Sequence, residues 1–231
     1  MKKLLSLVLA LLLCLSLAAC GADKAPAPTP AQPAQQEMPT APEPAQEPEP
    51  EPDVYTPHEP LVFEGNGDDV VEMPLLDYYY AFHITGNVES RHFSVTTYDG
   101  SGNYNELLVN TSDPYDGVTY DMELNTELLE VSANGPWKIE VIDMLTLDEA
   151  TAGQTYSGCG DYVLLVYNLG KTAEIDGNEA SRHFDVISFG NHGEYLELLV
   201  NTSDPYSGKV LLKDDPAFLT ISAVGDWSIQ F

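Results

Sequence analysis

The sequence predicts an all-β protein in which two tandem antiparallel β-sandwich modules, jelly-roll-like in type, follow a signal peptide and a disordered linker. Two observations support this fold class. The ten residues ELLVNTSDPY occur twice, at 106–115 and 197–206. Short segments around both copies alternate apolar and polar residues with period two, as strands with one buried face do. No segment has a sustained helical period with caps.

The repeat covers the whole globular part of the chain. Three further motifs return at nearly the same spacing, which places a first module at 61–143 and a second at 150–231. These motifs are SRHF at 90–93 and 181–184, GxGD at 65–68 and 158–161, and GxWxI at 135–139 and 225–229.

Each module should contain seven or eight short strands. Trp137 shares strand parity with Ile139, and Trp227 shares it with Ile229, so both indoles are expected in the core rather than as sugar-stacking platforms. Further strands of the first module are expected at 70–73, 80–85, 91–95, 107–110, 118–122 and 128–133, with counterparts in the second.

The duplicated decapeptide is interpreted as structural. Residues 107–109 form a buried strand, and residues 113–117 are expected to form a tight turn with Asp113 as acceptor, Pro114 fixing φ and Gly117 closing it. Asp204 has the corresponding position in the second copy. Both aspartates are therefore interpreted as turn residues rather than ligands.

The combined pattern of GxGD, FxV, LLVN, PYxG and GxWxI is similar to the pre-peptidase C-terminal type of β-sandwich module in secreted bacterial proteins. The resemblance covers residues 61–231, mostly at core and turn positions. It implies an accessory module and supplies no catalytic residues.

Residues 1–19 have the form of a signal peptide. Lys2 and Lys3 precede an apolar stretch from 4 to 17 that is too short to span a bilayer comfortably. The following Leu-Ala-Ala-Cys resembles the bacterial lipobox, which implies lipidation of Cys20 and anchoring at the extracellular face of the cell membrane. The alternative is an ordinary secretory cleavage site with an accidental cysteine.

Residues 20–60 are expected to be a disordered linker. Twelve of the chain's seventeen prolines lie there, mixed with Ala, Gln and Glu, so the segment has little to bury. We interpret it as a spacer that lifts the modules off the membrane. A proline-rich ligand for a partner domain is the alternative, although no basic anchor residue flanks the prolines.

Charge restricts the possible partners. From residue 61 onward the chain has 29 Asp and Glu against 6 Lys and Arg, a net charge of −23. That charge repels nucleic acid and anionic headgroups but is compatible with cation binding or a basic partner. Once Cys14 is removed and Cys20 acylated, Cys159 stands alone, so it is expected to be a free exposed thiol.

No catalytic motif is present, so a non-enzymatic protein without a cofactor is expected. His83 and His92 are predicted to face each other across a hairpin with its loop at 86–89, but a third zinc ligand is missing and a surface pair is favoured. Asp99 lies in a segment with alternating oxygen ligands, for which an Asp-Gly hairpin turn is a simpler explanation than calcium.

Three side chains are candidates for ligand contact: Tyr79, as the exposed member of the tyrosine run 78–80, and the wet-face residues His92 and His183. The leading hypothesis is a surface lipoprotein whose modules contact cell-wall polymer, glycan or protein. A solute-capture or envelope-stress lipoprotein with a small ligand is the alternative, and a hydrolase is the least favoured.

Overall fold

A computed structural model describes residues 55–231 of the chain. The predicted signal peptide, the lipidation site Cys20 and most of the linker lie outside the described residues. None of the helical segments among residues 55–231 has the length and apolarity needed to cross a membrane. A three-residue 3₁₀ turn at Met144–Thr146 connects the two modules.

The first module is a sandwich of two four-stranded antiparallel sheets, in the orders β1-β8-β3-β6 and β2-β7-β4-β5. This is the strand order of a jelly roll, in which most successive strands alternate between the sheets. The all-β sandwich prediction is confirmed. The strands are β1 Leu61–Asn66, β2 Asp69–Glu72, β3 Tyr80–Gly86, β4 Phe93–Asp99, β5 Tyr104–Thr111, β6 Tyr115–Thr119, β7 Thr126–Ser132 and β8 Pro136–Asp143.

The second module repeats this order as β10-β17-β12-β15 and β14-β13-β16-β11, and β9 adds a parallel edge strand beside β11. The predicted boundary at residue 150 falls inside β9. The strands are β9 Glu149–Thr151, β10 Thr155–Cys159, β11 Tyr162–Tyr167, β12 Thr172–Gly177, β13 Phe184–Phe189, β14 Tyr195–Thr202, β15 Tyr206–Leu211, β16 Phe218–Ala223 and β17 Asp226–Gln230.

The turn predicted at 113–117 is wrong. The chain bends at 112–113, and Tyr115, Asp116 and Gly117 already belong to β6. β5 and β6 lie in different sheets, so the decapeptide crosses the sandwich instead of closing a hairpin. Gly117 serves close packing: a Cβ there would stand 2.9 Å from the Tyr115 hydroxyl oxygen.

The SRHF motif of the first module lies at a second crossover, between β3 and β4. Asn87 and Ser90 adopt left-handed backbone conformations, with φ of 57° and 54°, where the chain passes from β3 to β4. The buried Asn87 amide donates to the carbonyls of Arg91, at 2.6 Å, and Asp113, at 2.8 Å. Asn178 makes the equivalent bonds in the second module. In each module, one asparagine side-chain amide therefore forms hydrogen bonds with both crossovers.

Each module has its own apolar core between its two sheets. Trp137 and Trp227 are each only 4% exposed, which confirms their predicted core position. The indole Nε1 of Trp137 donates to the carbonyl of Gly67, and that of Trp227 to Gly160, both at 2.9 Å. The buried polar atom of each ring is therefore satisfied.

A third apolar cluster lies between the modules. Tyr120 of the first module packs against Phe189 and Phe218 of the second, with ring centroids 5.6 and 4.9 Å away. Ala81, Val118, Met144 and Val163 complete the buried part of this inter-module cluster. The two modules consequently share a packed interface in addition to their own cores.

Candidate binding cleft between the two modules

A cleft of about 1030 Å³ opens beside the inter-module cluster. One wall is formed by the duplicated decapeptide of the first module, and the other by the GxGD loop, the SRHF loop and the end of β16 in the second. Its lining comprises His92, residues 107–116, residues 159–161, Arg182, His183 and residues 222–224.

Tyr115 and Asp161 hold the two walls of the cleft together. The Tyr115 hydroxyl donates to Asp161 Oδ2 at 2.7 Å, and the amide of Val118 donates to the Asp161 carbonyl at 2.9 Å. Burial and the neighbouring Asp161 carboxylate raise the pKa of Tyr115, so the phenol stays protonated and remains a donor. The other Asp161 oxygen, Oδ1, accepts from the amide of Ala223 at 2.9 Å.

A second cross-module contact is an exposed ion pair. Arg182 Nη2 lies 3.4 Å from Asp113 Oδ2, and both side chains are about half exposed. Such a pair contributes little to stability because solvent screens it. The pair places a positive charge at the mouth of the cleft.

The two histidines of the SRHF motifs both reach this cleft. His92 is exposed, and His183 is exposed with its Nε2 at 2.7 Å from Asp185 Oδ2. Burial raises the pKa of Asp185, and the hydrogen bond and charge of His183 oppose that shift. Two of the three predicted ligand-contact residues are therefore brought to one site.

Tyr79 lies elsewhere. It is 39% exposed, as predicted, but it does not line the cleft. Its ring lies near Gly193 in another part of the inter-module contact, where a Cβ built on that glycine would stand 3.6 Å from Tyr79 Cε1.

The predicted pairing of His83 with His92 is wrong. β3 and β4 belong to different sheets, so residues 87–92 form a crossover and not a hairpin loop. His83 instead lies between two carboxylates on its own sheet, with Nε2 at 2.8 Å from Asp116 and Nδ1 at 3.1 Å from Glu140. The two imidazoles cannot share a metal ion in this arrangement.

Asp99 organises a turn. Its Oδ1 accepts from the amides of Ser101 and Asn103, both at 2.8 Å, and its Oδ2 accepts from the Asn103 side chain at 2.7 Å. The hydrogen bond from the Asn103 side chain and those from backbone amides lower the pKa of Asp99. Within residues 55–231, no group of three or more His, Cys, Asp or Glu side chains is placed to hold a metal ion.

Cys159 is a free, exposed thiol at the rim of the cleft, as predicted. Burial of its sulfur region and the hydrogen bond with Asp226 raise its pKa. Since the thiolate is the nucleophilic form, this environment suppresses the reactivity of Cys159.

A recess of about 200 Å³ adjoins the cleft and shares Leu107, Leu108, Asp161 and Ser222 with it. Its remaining lining is largely apolar and includes Met122, Ile187 and Phe189, with Glu106 at one side. Burial raises the pKa of Glu106. The cleft thus combines a wide polar mouth with a smaller apolar recess.

Sequence reasoning missed the central contact of this site. Tyr115 was interpreted as a turn residue and Asp161 only as part of a repeated GxGD loop. The sequence carries no signal that singles out these two residues, because both motifs occur twice and only one copy of each faces the other module. Compared with known proteins, the chain matches no protein-family model and no curated protein sequence.

Proposed function

We propose that the protein is a lipoprotein, anchored through Cys20 at the extracellular face of a bacterial cell membrane, whose two modules bind a cell-envelope polymer, glycan or protein without catalysing a reaction. The inter-module cleft is the observation that carries this proposal. At about 1030 Å³ it lies at the upper end of the range for small-ligand pockets, which suits one segment of an extended ligand.

The composition of the cleft favours an uncharged polar ligand. Residues 110–112 contribute an amide and two hydroxyl groups to the wall, and His92 and His183 add imidazoles that donate or accept. The net charge of −23 over residues 61–231 repels polyanionic polymers. A neutral glycan, whose hydroxyl groups both donate and accept hydrogen bonds, is the best match among the proposed ligands.

Co-sedimentation with insoluble, purified envelope polymer tests this proposal. Replacing both cleft histidines, as His92→Ala with His183→Ala, should lower the bound fraction and weaken affinity about tenfold or more. His192→Ala is the matched control because His192 is exposed and does not line the cleft. Equal loss in both variants, or no binding by the unaltered chain, would contradict a role for the cleft in polymer binding.

Solute capture is the second candidate, and the apolar recess beside the cleft favours it. A small ligand bound there should raise the melting temperature, since it binds the folded state alone. Met122→Arg places a charge in the recess and should abolish that rise, while Val224→Arg, at the cleft but outside the recess, should preserve it. Envelope-polymer binding that survives Met122→Arg would favour the first proposal.

A further inference from the structure

We propose that the protein associates head to tail with a second copy of itself, through the surfaces that correspond to its own inter-module interface. The two modules are repeats, so the face that the first module presents to the second has a counterpart on the second module. The face that receives it has a counterpart on the first. Asp68 and Glu72 on one of these counterpart faces, and Lys209 and Leu211 on the other, are exposed.

The residues of both side-chain polar contacts of the internal interface have counterparts on these two faces. Tyr115 and Asp161 correspond to Tyr206 and Asp68. Asp68 is held like Asp161, with Oδ1 accepting from the amide of Ala133 at 2.9 Å. Its Oδ2 therefore occupies the position that receives the tyrosine hydroxyl in the internal contact.

The two residues of the inter-module ion pair also have counterparts of the same type. Arg182 and Asp113 correspond to Arg91 and Asp204, which are both exposed. A neighbouring copy placed like the second module relative to the first would bring Arg91 of one copy to Asp204 of the other.

Two apolar residues of the internal interface are replaced on the free faces by residues of opposite charge. Val118 and Leu165, both in the inter-module cluster, correspond by strand register to Lys209 and Glu72. One free face thus carries a lysine where the other carries a glutamate, so the two faces have opposite charges at these positions. Lys209 is exposed and its ammonium also lies 2.8 Å from Glu174 of its own sheet, so it is held on that face.

An exposed apolar residue lies near each of these two charged residues. Val70, the counterpart of Val163, is 59% exposed, and Leu211, the counterpart of Tyr120, is 53% exposed. The permanent apolar contact inside the chain would thus be replaced by a contact between faces of opposite charge. A heterologous contact of this kind links each copy to the next and generates open chains of molecules unless its rotation closes a ring.

Sedimentation velocity on residues 21–231 carrying Cys159→Ser tests the proposal, since this chain keeps the linker and excludes disulfides. The sedimentation coefficient should rise steadily between about 10 µM and 1 mM, as open-ended association requires. Lys209→Glu and Glu72→Lys should each weaken association by more than about tenfold, because each gives the two associating faces charges of the same sign.

The double variant with Lys209→Glu and Glu72→Lys exchanges the two charges and should restore association. Lys138→Glu is the control, because it changes net charge equally on a strand outside the two free faces. Circular dichroism verifies that every variant is folded. The proposal fails if the unaltered chain remains monomeric, if Lys138→Glu weakens association as much as Lys209→Glu, or if the exchanged pair does not restore it.

Discussion

Gly65 lies directly beneath the indole of Trp137, its partner across β1 and β8, and a Cβ on Gly65 would stand 2.2 Å from Trp137 Cζ2. Gly158 and Trp227 repeat the relationship at 2.4 Å. No real Cβ contact is that short, so only glycine permits the ring to lie flat against the neighbouring strand. The two repeated motifs GxGD and GxWxI are therefore two halves of one packing unit.

Gly65→Ala should lower the free energy of unfolding by about 1–3 kcal/mol, because the added methyl group displaces the indole. Gly135→Ala is the matched control: a Cβ there meets no atom within 4 Å, and the change should stay within about 0.5 kcal/mol. Urea denaturation followed by tryptophan fluorescence measures both. Equal stability of the two variants would contradict the packing unit.

Trp137→Ala or Trp227→Ala should destabilise the protein by about 3–5 kcal/mol, since each removes a buried ring and leaves a cavity. Native fluorescence should be blue-shifted because both indoles are 4% exposed. Red-shifted native emission together with unchanged unfolding midpoints in both variants would place the rings in solvent. Such a result would favour the alternative interpretation, in which the two tryptophans stack against sugar rings.

The repeated motifs carry most of what the sequence reveals about the fold. Strand alternation around Trp137 and Trp227 correctly predicted that both residues face the core. In a strand every second side chain points to the same face, so the apolar residues two positions away identify the face of the indole. The pairing of His83 with His92 failed for a definite reason. A loop of a few residues between two strands is compatible with either a hairpin or a crossover between sheets, and alternation does not distinguish them.

The cleft was harder to predict than the fold. Sequence indicated His92 and His183 singly, as equivalent residues of two repeats, but not that they meet across one cleft. The proximity of His92 to His183 depends on how the two modules pack against each other, and the inter-module cluster around Tyr120 determines that packing. Its residues differ between the repeats, as Val118 and Lys209 show, so comparison of the copies hides the interface instead of revealing it.

The modules should fold separately but with lower stability than in the intact chain. Residues 61–143 and 144–231, the latter extended to retain β9, each keep a complete pair of sheets but expose their half of the inter-module cluster. Circular dichroism should show β structure in both fragments, with unfolding midpoints below that of the full chain. Two unfolded fragments would contradict autonomous folding.

Cys20→Ser should release the protein from the membrane or leave it unprocessed, because acyl chains rather than the modules are expected to provide the anchoring energy. Detergent phase partitioning of cell extracts measures this, and Cys159→Ser serves as the control cysteine substitution. Partitioning that is the same in Cys20→Ser as in the unaltered chain would refute lipidation at Cys20.

Asp143 joins the end of the linker to the first module, and this contact should make stability depend on pH. The carboxylate is buried and accepts from the Tyr55 hydroxyl, from the amide of His58 at 3.0 Å and from the amide of Leu145 at 3.0 Å. Burial opposes ionisation of Asp143, but these hydrogen bonds outweigh burial and lower its pKa below the ordinary 3.8.

A lowered pKa means that the folded state favours the ionised carboxylate more than the unfolded state does. The resulting stabilisation is complete above the unfolded value near 3.8 and is lost as the pH falls through the folded value. Asp143→Asn should therefore cost about 1–3 kcal/mol at pH 7, with the difference from the unaltered chain shrinking below about pH 4. Glu59→Gln, an exposed change in the same segment, is the control. Urea unfolding from pH 3 to pH 7 measures the difference, and a constant deficit across that range would show that the Asp143 charge contributes nothing.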